Sequence, residues 1–204
     1  MKTEKRALPF EMRMETAEDV TRVIGAGAVY NKRSQDLGGF FEIIREGAFK
    51  RSLESGREVK SFFNHDPNQV LGTTESEPPL TITDDKRGLM YEVEIPDTSY
   101  GRDLRENLKR KNVKGSSFQF RTIEDNWYKT DAGETVRELI SAELFEIGPV
   151  TEPAYLPSTS ELRTLKDGKD EFEAREAEVK QKEEEKEKAR RRRMKEVEIL
   201  QARR

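Results

Sequence analysis

The chain has 204 residues, enough for one domain of ordinary size with an appendage and cramped for two. Charged residues make up 39% of it and the hydrophobic set only 33%, with a net charge of -3, a balance too polar for one uniform globule. Zero cysteines exclude disulfides and thiol chemistry, and a single histidine argues against a zinc site of His and Cys ligands, although composition leaves carboxylate-bound Mg²⁺ open.

The polar excess sits at one end. Residues 169–204 hold 13 basic and 11 acidic side chains, so the core-forming part is expected to end near Gly168. No run approaches the roughly 20 apolar residues of a membrane-spanning helix. The N-terminus lacks the apolar stretch of a secretory signal, and a soluble protein made in a cytoplasm is expected.

In chain order, Leu8, Phe10, Met12 and Met14 alternate with Pro9, Glu11 and Arg13, a half-exposed first strand. Arg22 to Tyr30 reads as a small-residue strand in which Gly25 and Gly27 admit a close neighbour. Phe40 to Ile44 is a short strand, and Gly47-Ala48-Phe49 opens a brief helix with Phe49 and Leu53 on one face, ended by Gly56. Val59 to Asn64 is strand-like and runs into His65, which Asp66-Pro67 follows as a turn signal.

Leu80 to Ile82 is a short edge strand, and Leu89, Tyr91, Val93 and Ile95 give the clearest period-two pattern in the chain. Thr98 or Ser99 caps a helix from about Tyr100 to Arg110, with Leu104 and Leu108 facing inward. Phe118–Ile123, Trp127–Thr130, Thr135–Ile140 and Leu144–Ile147 then read as four strands, with turns at Glu124-Asp125-Asn126 and Asp131-Ala132-Gly133.

The expected fold class is α+β, a mainly antiparallel β-barrel with short flanking helices, closed because so small a sheet would otherwise expose its edges. The expected division is a domain over 1–157, a linker over 158–168 marked by Pro157, Ser158, Thr159 and Ser160, and a charged tail over 169–204. That tail holds no heptad stripe, so a solvated helix or disorder is expected rather than a coiled coil.

A lone histidine is more often structural than catalytic, but an imidazole at a strand-to-loop junction is the side chain best suited to activating a hydroxyl near neutral pH. Any histidine-dependent mechanism here runs through His65. Candidate nucleophiles are Ser116 and Ser117, where a basic loop turns into an aromatic strand; the plainer reading is a serine pair bonding its own turn. A carboxylate to orient the imidazole would come from Glu143 or Glu146, which alternation puts on opposite faces: Leu144, Glu146 and Gly148 on one, Glu143, Phe145 and Ile147 on the other.

Several motifs together carry a resemblance. Tyr30-Asn31, Leu37-Gly38-Gly39-Phe40 with Glu42, Glu46-Gly47-Ala48-Phe49, Asn64-His65-Asp66, Gly115-Ser116-Ser117-Phe118-Gln119-Phe120, and Leu144-Phe145-Glu146-Ile147-Gly148-Pro149-Val150 with Pro153-Ala154-Tyr155 follow one another in this order. From about residue 22 to 157 the chain resembles tailed-phage prohead proteases. Two positions depart from the family pattern: Ser116 stands where a bulky apolar residue is usual, and Gln119 where glycine is usual.

The resemblance implies a serine endopeptidase with a fold like herpesvirus assemblin, cutting scaffold segments from the major capsid protein and cutting itself during capsid maturation. It implies His65, Ser117 and Glu146 as the catalytic residues, and no cofactor or metal. Backbone N–H groups of Gly115 to Ser117, or Arg121, are the candidates to stabilise the oxyanion.

Its implied partners are the capsid protein with its scaffold segment and the chain itself, with a homodimer allowed and no membrane. Nucleic-acid binding through Arg190 to Arg193 is not expected, because acidic neighbours cancel the attraction. The implied location is the immature capsid in the host cytoplasm, with the protein absent or degraded in the mature virion. The alternative from a different class is a non-catalytic capsid assembly or scaffold-binding protein on the same fold.

Overall fold

The computed structural model describes residues 3–8, 12–17, 20–152 and 159–202. In chain order its elements are β1 (Glu4–Leu8), β2 (Arg13–Ala17), β3 (Val20–Val29), β4 (Phe41–Ile44), α1 (Lys50–Glu54), β5 (Lys60–Phe62) and β6 (Val70–Thr73). They are followed by β7 (Thr81–Asp85), β8 (Gly88–Glu94), α2 (Ser99–Lys109), β9 (Gly115–Lys129), β10 (Thr135–Val150) and α3 (Thr159–Ala202). Phe10 of the expected first strand and the motif residues Pro153, Ala154 and Tyr155, with Pro157 and Ser158, lie outside the described residues.

Among the described residues the strands form two sheets rather than a closed barrel. One runs β1-β9-β10-β5-β6 with β4 also on β10, and the other runs β2-β3-β8-β7. The barrel was expected in order to remove edges, but the edges here are short strands bearing charge: Arg13 and Glu15 on β2, and Asp84 and Asp85 on β7. Nor is the larger sheet purely antiparallel, because β4 and β5 both run parallel to β10.

Among the described residues an apolar core lies between the sheets. Val23 of β3 and Leu89, Tyr91 and Val93 of β8 meet Phe118, Phe120, Leu144 and Ile147 of the long hairpin. Phe49 meets Phe118 and Phe120 edge-on, with ring centroids 5.5 and 6.2 Å away, the arrangement aromatic quadrupoles favour. A methyl group at Gly25 would lie 2.6 Å from Ser116 Oγ and 2.7 Å from the Tyr91 ring, so the small residues of β3 let the two sheets approach closely. Thr98 caps α2, its side-chain oxygen accepting from Gly101 N at 3.1 Å, and Leu104 is buried on the inner face of that helix.

The long hairpin differs from the four short strands that the sequence suggests. β9 runs straight through Glu124-Asp125-Asn126, whose polarity reads as a turn but serves an ion pair: Arg137 Nε donates to Asp125 Oδ2 at 2.7 Å. The interruption is taken up by irregular pairing between Leu139 and Ala142, while Asp131-Ala132-Gly133 does form the hairpin turn. β10 pairs with β4 at residues 136–139 and with β5 at 146. Between them α1 fills the gap, where Ala142 N donates to Ala48 O at 2.8 Å and Leu144 N to Ser52 Oγ at 2.9 Å.

The chain divides into two units, Met1–Leu162 and Arg163–Arg204. Residues 159–168, expected as linker, are the first turns of α3: the prolines that suggested a linker stop at 157, and Glu161, Leu162, Arg163, Leu165 and Lys166 all favour helix. Within α3, Lys169–Glu173, Glu178–Lys182 and Glu187–Arg191 pair one turn apart, as solvated helices do. Among the described residues no helix is long and apolar enough to cross a membrane.

Candidate active site

The two serines at the start of β9 point to opposite sides of the sheet. Ser116 shares the core face with Phe118 and Phe120 and lies 3.1 Å from the Tyr91 hydroxyl, buried between the sheets. Ser117 is on the other face, toward His65. Both lie inside a paired strand, with Ser117 opposite Ala7 of β1 and Gly148 of β10, rather than in the loop the sequence suggests.

His65 follows β5 on a tight corner. Asn64 and His65 both take left-handed backbone, φ +54° and +61°, a conformation costing on the order of 1–3 kcal/mol per residue unless its surroundings enforce it. Here they do. Asn64 N donates to Pro149 O at 3.0 Å, and Asn64 Oδ1 accepts from Thr151 N at 2.8 Å and from Thr151 Oγ1 at 3.2 Å. The corner is thereby tied to the far end of β10. At Gly148 a methyl group would lie 2.3 Å from Phe62 O, so only glycine lets the β5 backbone come this near the residue opposite Ser117.

The carboxylate comes from an irregularity. Leu144 pairs with Phe120 and Glu146 with Gln119, leaving Phe145 as an extra residue, a β-bulge. Simple alternation would set Glu146 with the core residue Leu144. The bulge instead spaces the core residues as Leu144 and Ile147, and turns Glu143 and Glu146 to the same outer face as Ser117. On that face the two glutamates part: Glu143 pairs with Arg121 and lies 2.7 Å from Arg57 Nε, while Glu146 meets the histidine.

His65 Nδ1 is 2.8 Å from Glu146 Oε1, and His65 Nε2 is 2.8 Å from Ser117 Oγ. An ionised carboxylate only accepts, so the hydrogen of the first contact is carried on Nδ1. In the neutral imidazole that tautomer leaves Nε2 bare, facing the serine hydroxyl. The Glu146 side chain is 5% exposed and that of His65 18%, so the acid is sealed while the imidazole retains an opening to solvent.

Ser117 Oγ also lies 2.9 Å from the carbonyl oxygen of Arg6, a contact that sequence reading missed because residue 6 is 111 positions away. β1 is held there by a buried charge cluster. Arg6 Nε and Nη2 donate to Glu42 Oε1 and Oε2 at 2.7 and 2.8 Å, Arg6 Nη2 also donates to Glu4 Oε2 at 2.8 Å, and Arg137 Nη1 donates to Glu4 Oε2 at 2.7 Å and Glu42 Oε2 at 3.0 Å. Burial acts to raise the Glu4 carboxyl, but hydrogen bonding and charge from Arg137, then the charge of Arg6, outweigh it and hold the group at about 2. The resemblance motif includes Glu42, yet nothing in the local pattern marks Glu4, Arg6 or Arg137 as its partners.

Arg121, one candidate for the oxyanion, is engaged with Glu143 four residues along β9 from Ser117. Among the described residues no group of three or more His, Asp or Glu side chains converges to hold a metal.

A hydroxyl, an imidazole and a carboxylate in hydrogen-bonded series are the parts that nucleophilic acyl transfer uses. No curated protein matches the chain. One solved structure that does is the bacteriophage T4 capsid assembly protease, gp21, at 10% identity over 72% of this chain and 98% of that chain, with a TM-score of 0.43. The family model for the caudovirus prohead serine protease matches residues 9–171, which take in α1, β5, β9 and β10 with all three residues of the series, and the chain belongs to that family.

Proposed function

We propose that this prohead serine protease cuts peptide bonds with Ser117 as nucleophile, His65 as general base and then acid, and Glu146 as the group that fixes the imidazole tautomer. The observation that carries this reading is the pair of 2.8 Å contacts on the two nitrogens of His65. Ser117 Oγ attacks the scissile carbonyl while Nε2 takes its proton. The imidazolium, stabilised by Glu146, returns that proton to the leaving amine, and an acyl-enzyme ester forms on Ser117. Water, activated by the same nitrogen, releases it.

The substrates in this reading are the scaffold segment of the capsid subunit and the chain itself, inside the assembling shell. Residues 1–157 form the protease domain, and the charged segment beyond it loads the enzyme into the shell and is clipped by it. Co-expression with the cognate capsid protein, read by mass spectrometry of subunit termini, tests the proposal. Processing is expected to persist in Ser116→Ala and to vanish in Ser117→Ala and His65→Ala; processed termini from the His65 variant would overturn it.

A further inference from the structure

We propose that a basic cavity on the outer face of the sheet, next to α1, is a subsite for an acidic side chain of the polypeptide substrate, an inference that rests on the protease reading above. The cavity encloses about 250 Å³, and its walls include Arg51, Ser52, Arg57, Arg121 and Glu143. It lies where α1 replaces a strand beside β10, so the gap in the ladder between β4 and β5 makes the hollow, and α1 with the segment after it supplies Arg51, Ser52 and Arg57.

Its chemistry is that of an anion site. Three guanidiniums face one carboxylate, and Glu143 is ion-paired with Arg57 and takes a hydrogen bond from Arg121. A guanidinium carries five N–H donors in a planar fork, and the one carboxylate that Arg57 meets takes only part of what Arg57 offers. Arg51 has no carboxylate partner among the described residues. Buried Ser52 adds a directed donor: its oxygen accepts from Leu144 N at 2.9 Å, which leaves its own hydrogen to give. A carboxylate matches this arrangement of donors in charge and in fork geometry.

The position relative to the nucleophile identifies whose carboxylate it is. Ser117 and Arg121 alternate with the core residues Phe118 and Phe120, so both face outward on the same strand. Four residues of strand separate them by about 13 Å. An extended peptide with its scissile bond at Ser117 advances at nearly the same rise, so the residue that reaches the cavity stands about four positions from the cut.

The test has an arm that does not depend on catalysis. Immobilised full-length chain carrying Ser117→Ala is used to capture peptides from a proteome-derived library, which are then identified by mass spectrometry. Captured peptides are expected to be at least about five-fold enriched in Asp and Glu, and adding Arg51→Met and Arg57→Met should abolish the enrichment. Capture without acidic preference, or a preference that survives both arginine substitutions, would overturn the proposal.

In the second arm, active chain digests the same library. An acidic preference about four residues from the cut, lost in the arginine variant while other peptides are still cleaved, supports the subsite. Cleavage with no such preference contradicts it. Absence of any cleavage by the active chain would count against the protease reading, and the capture arm would still decide the subsite.

Discussion

Ser117 Oγ lies 2.9 Å from the carbonyl oxygen of Arg6, so a strand near the start of the chain closes one side of the nucleophile. A hydroxyl has one hydrogen to give. With His65 neutral it goes to Nε2, and with His65 doubly protonated it turns to Arg6 O. The backbone of β1 therefore holds the serine oxygen by a hydrogen bond in the second state, and in the first it offers the hydroxyl an alternative acceptor. What holds β1 is the cluster of Arg6, Glu4, Glu42 and Arg137.

Arg6→Met keeps most of the side-chain volume but leaves two buried carboxylates with Arg137 as their remaining arginine partner. Removing one member of a buried charge network costs about 3–5 kcal/mol. Urea unfolding should show a loss of that order, and a change below about 1 kcal/mol would mean that the cluster does not anchor β1.

Acid should weaken the same anchor over a defined range. The Glu4 carboxyl is held at about 2, below its ordinary 4.5, so the folded state binds its proton more weakly than the unfolded chain does. Its stabilisation is complete above pH 4.5 and is lost as pH falls toward 2, amounting to about 3 kcal/mol. The melting temperature of wild type should drop more steeply across that interval than that of Glu4→Gln, and parallel curves would contradict the assignment.

Asn64 ties the corner that carries His65 to Pro149 and Thr151. Asn64→Ala loses the acceptor for Thr151 N and puts alanine in left-handed backbone, whereas Asn64→Asp keeps an acceptor and a residue tolerant of that conformation. Processing should fall by about 10- to 100-fold in the alanine variant and recover most of its rate in the aspartate variant. Equal rates in the two would show that the corner does not set the imidazole.

The glutamates should separate by kinetics. Glu146→Gln puts an amide where Nδ1–H needs an acceptor and favours the wrong tautomer, lowering the turnover rate by about 10²–10⁴-fold with assembly retained. Glu143→Gln should leave turnover on a peptide lacking acidic residues within about three-fold. Single-turnover measurements on that peptide decide between them, and a larger loss in Glu143→Gln would move the orienting role to that residue.

Much of this was legible in the sequence because the signals are local. The alternation of Leu89, Tyr91 and Val93 gives β8, Thr98 caps α2, and the family motifs name His65, Ser117 and Glu146, which the fold brings into one hydrogen-bonded series. Three features were not legible, each for a physical reason. The Phe145 bulge breaks the period-two rule on which the face of Glu146 depends. Asp125 inside β9 reads as part of a turn because its ion-pair partner, Arg137, stands on the opposing strand. Sheet closure is a matter of edges, and short charged edge strands satisfy it as well as a barrel does.

The most direct test of the central claim is covalent trapping with a fluorophosphonate, followed by peptide mapping of the modified chain. The adduct is expected on Ser117 in wild type and Ser116→Ala, and absent in His65→Ala. An adduct on Ser116, or one on Ser117 that forms at an unchanged rate without the imidazole, would contradict it.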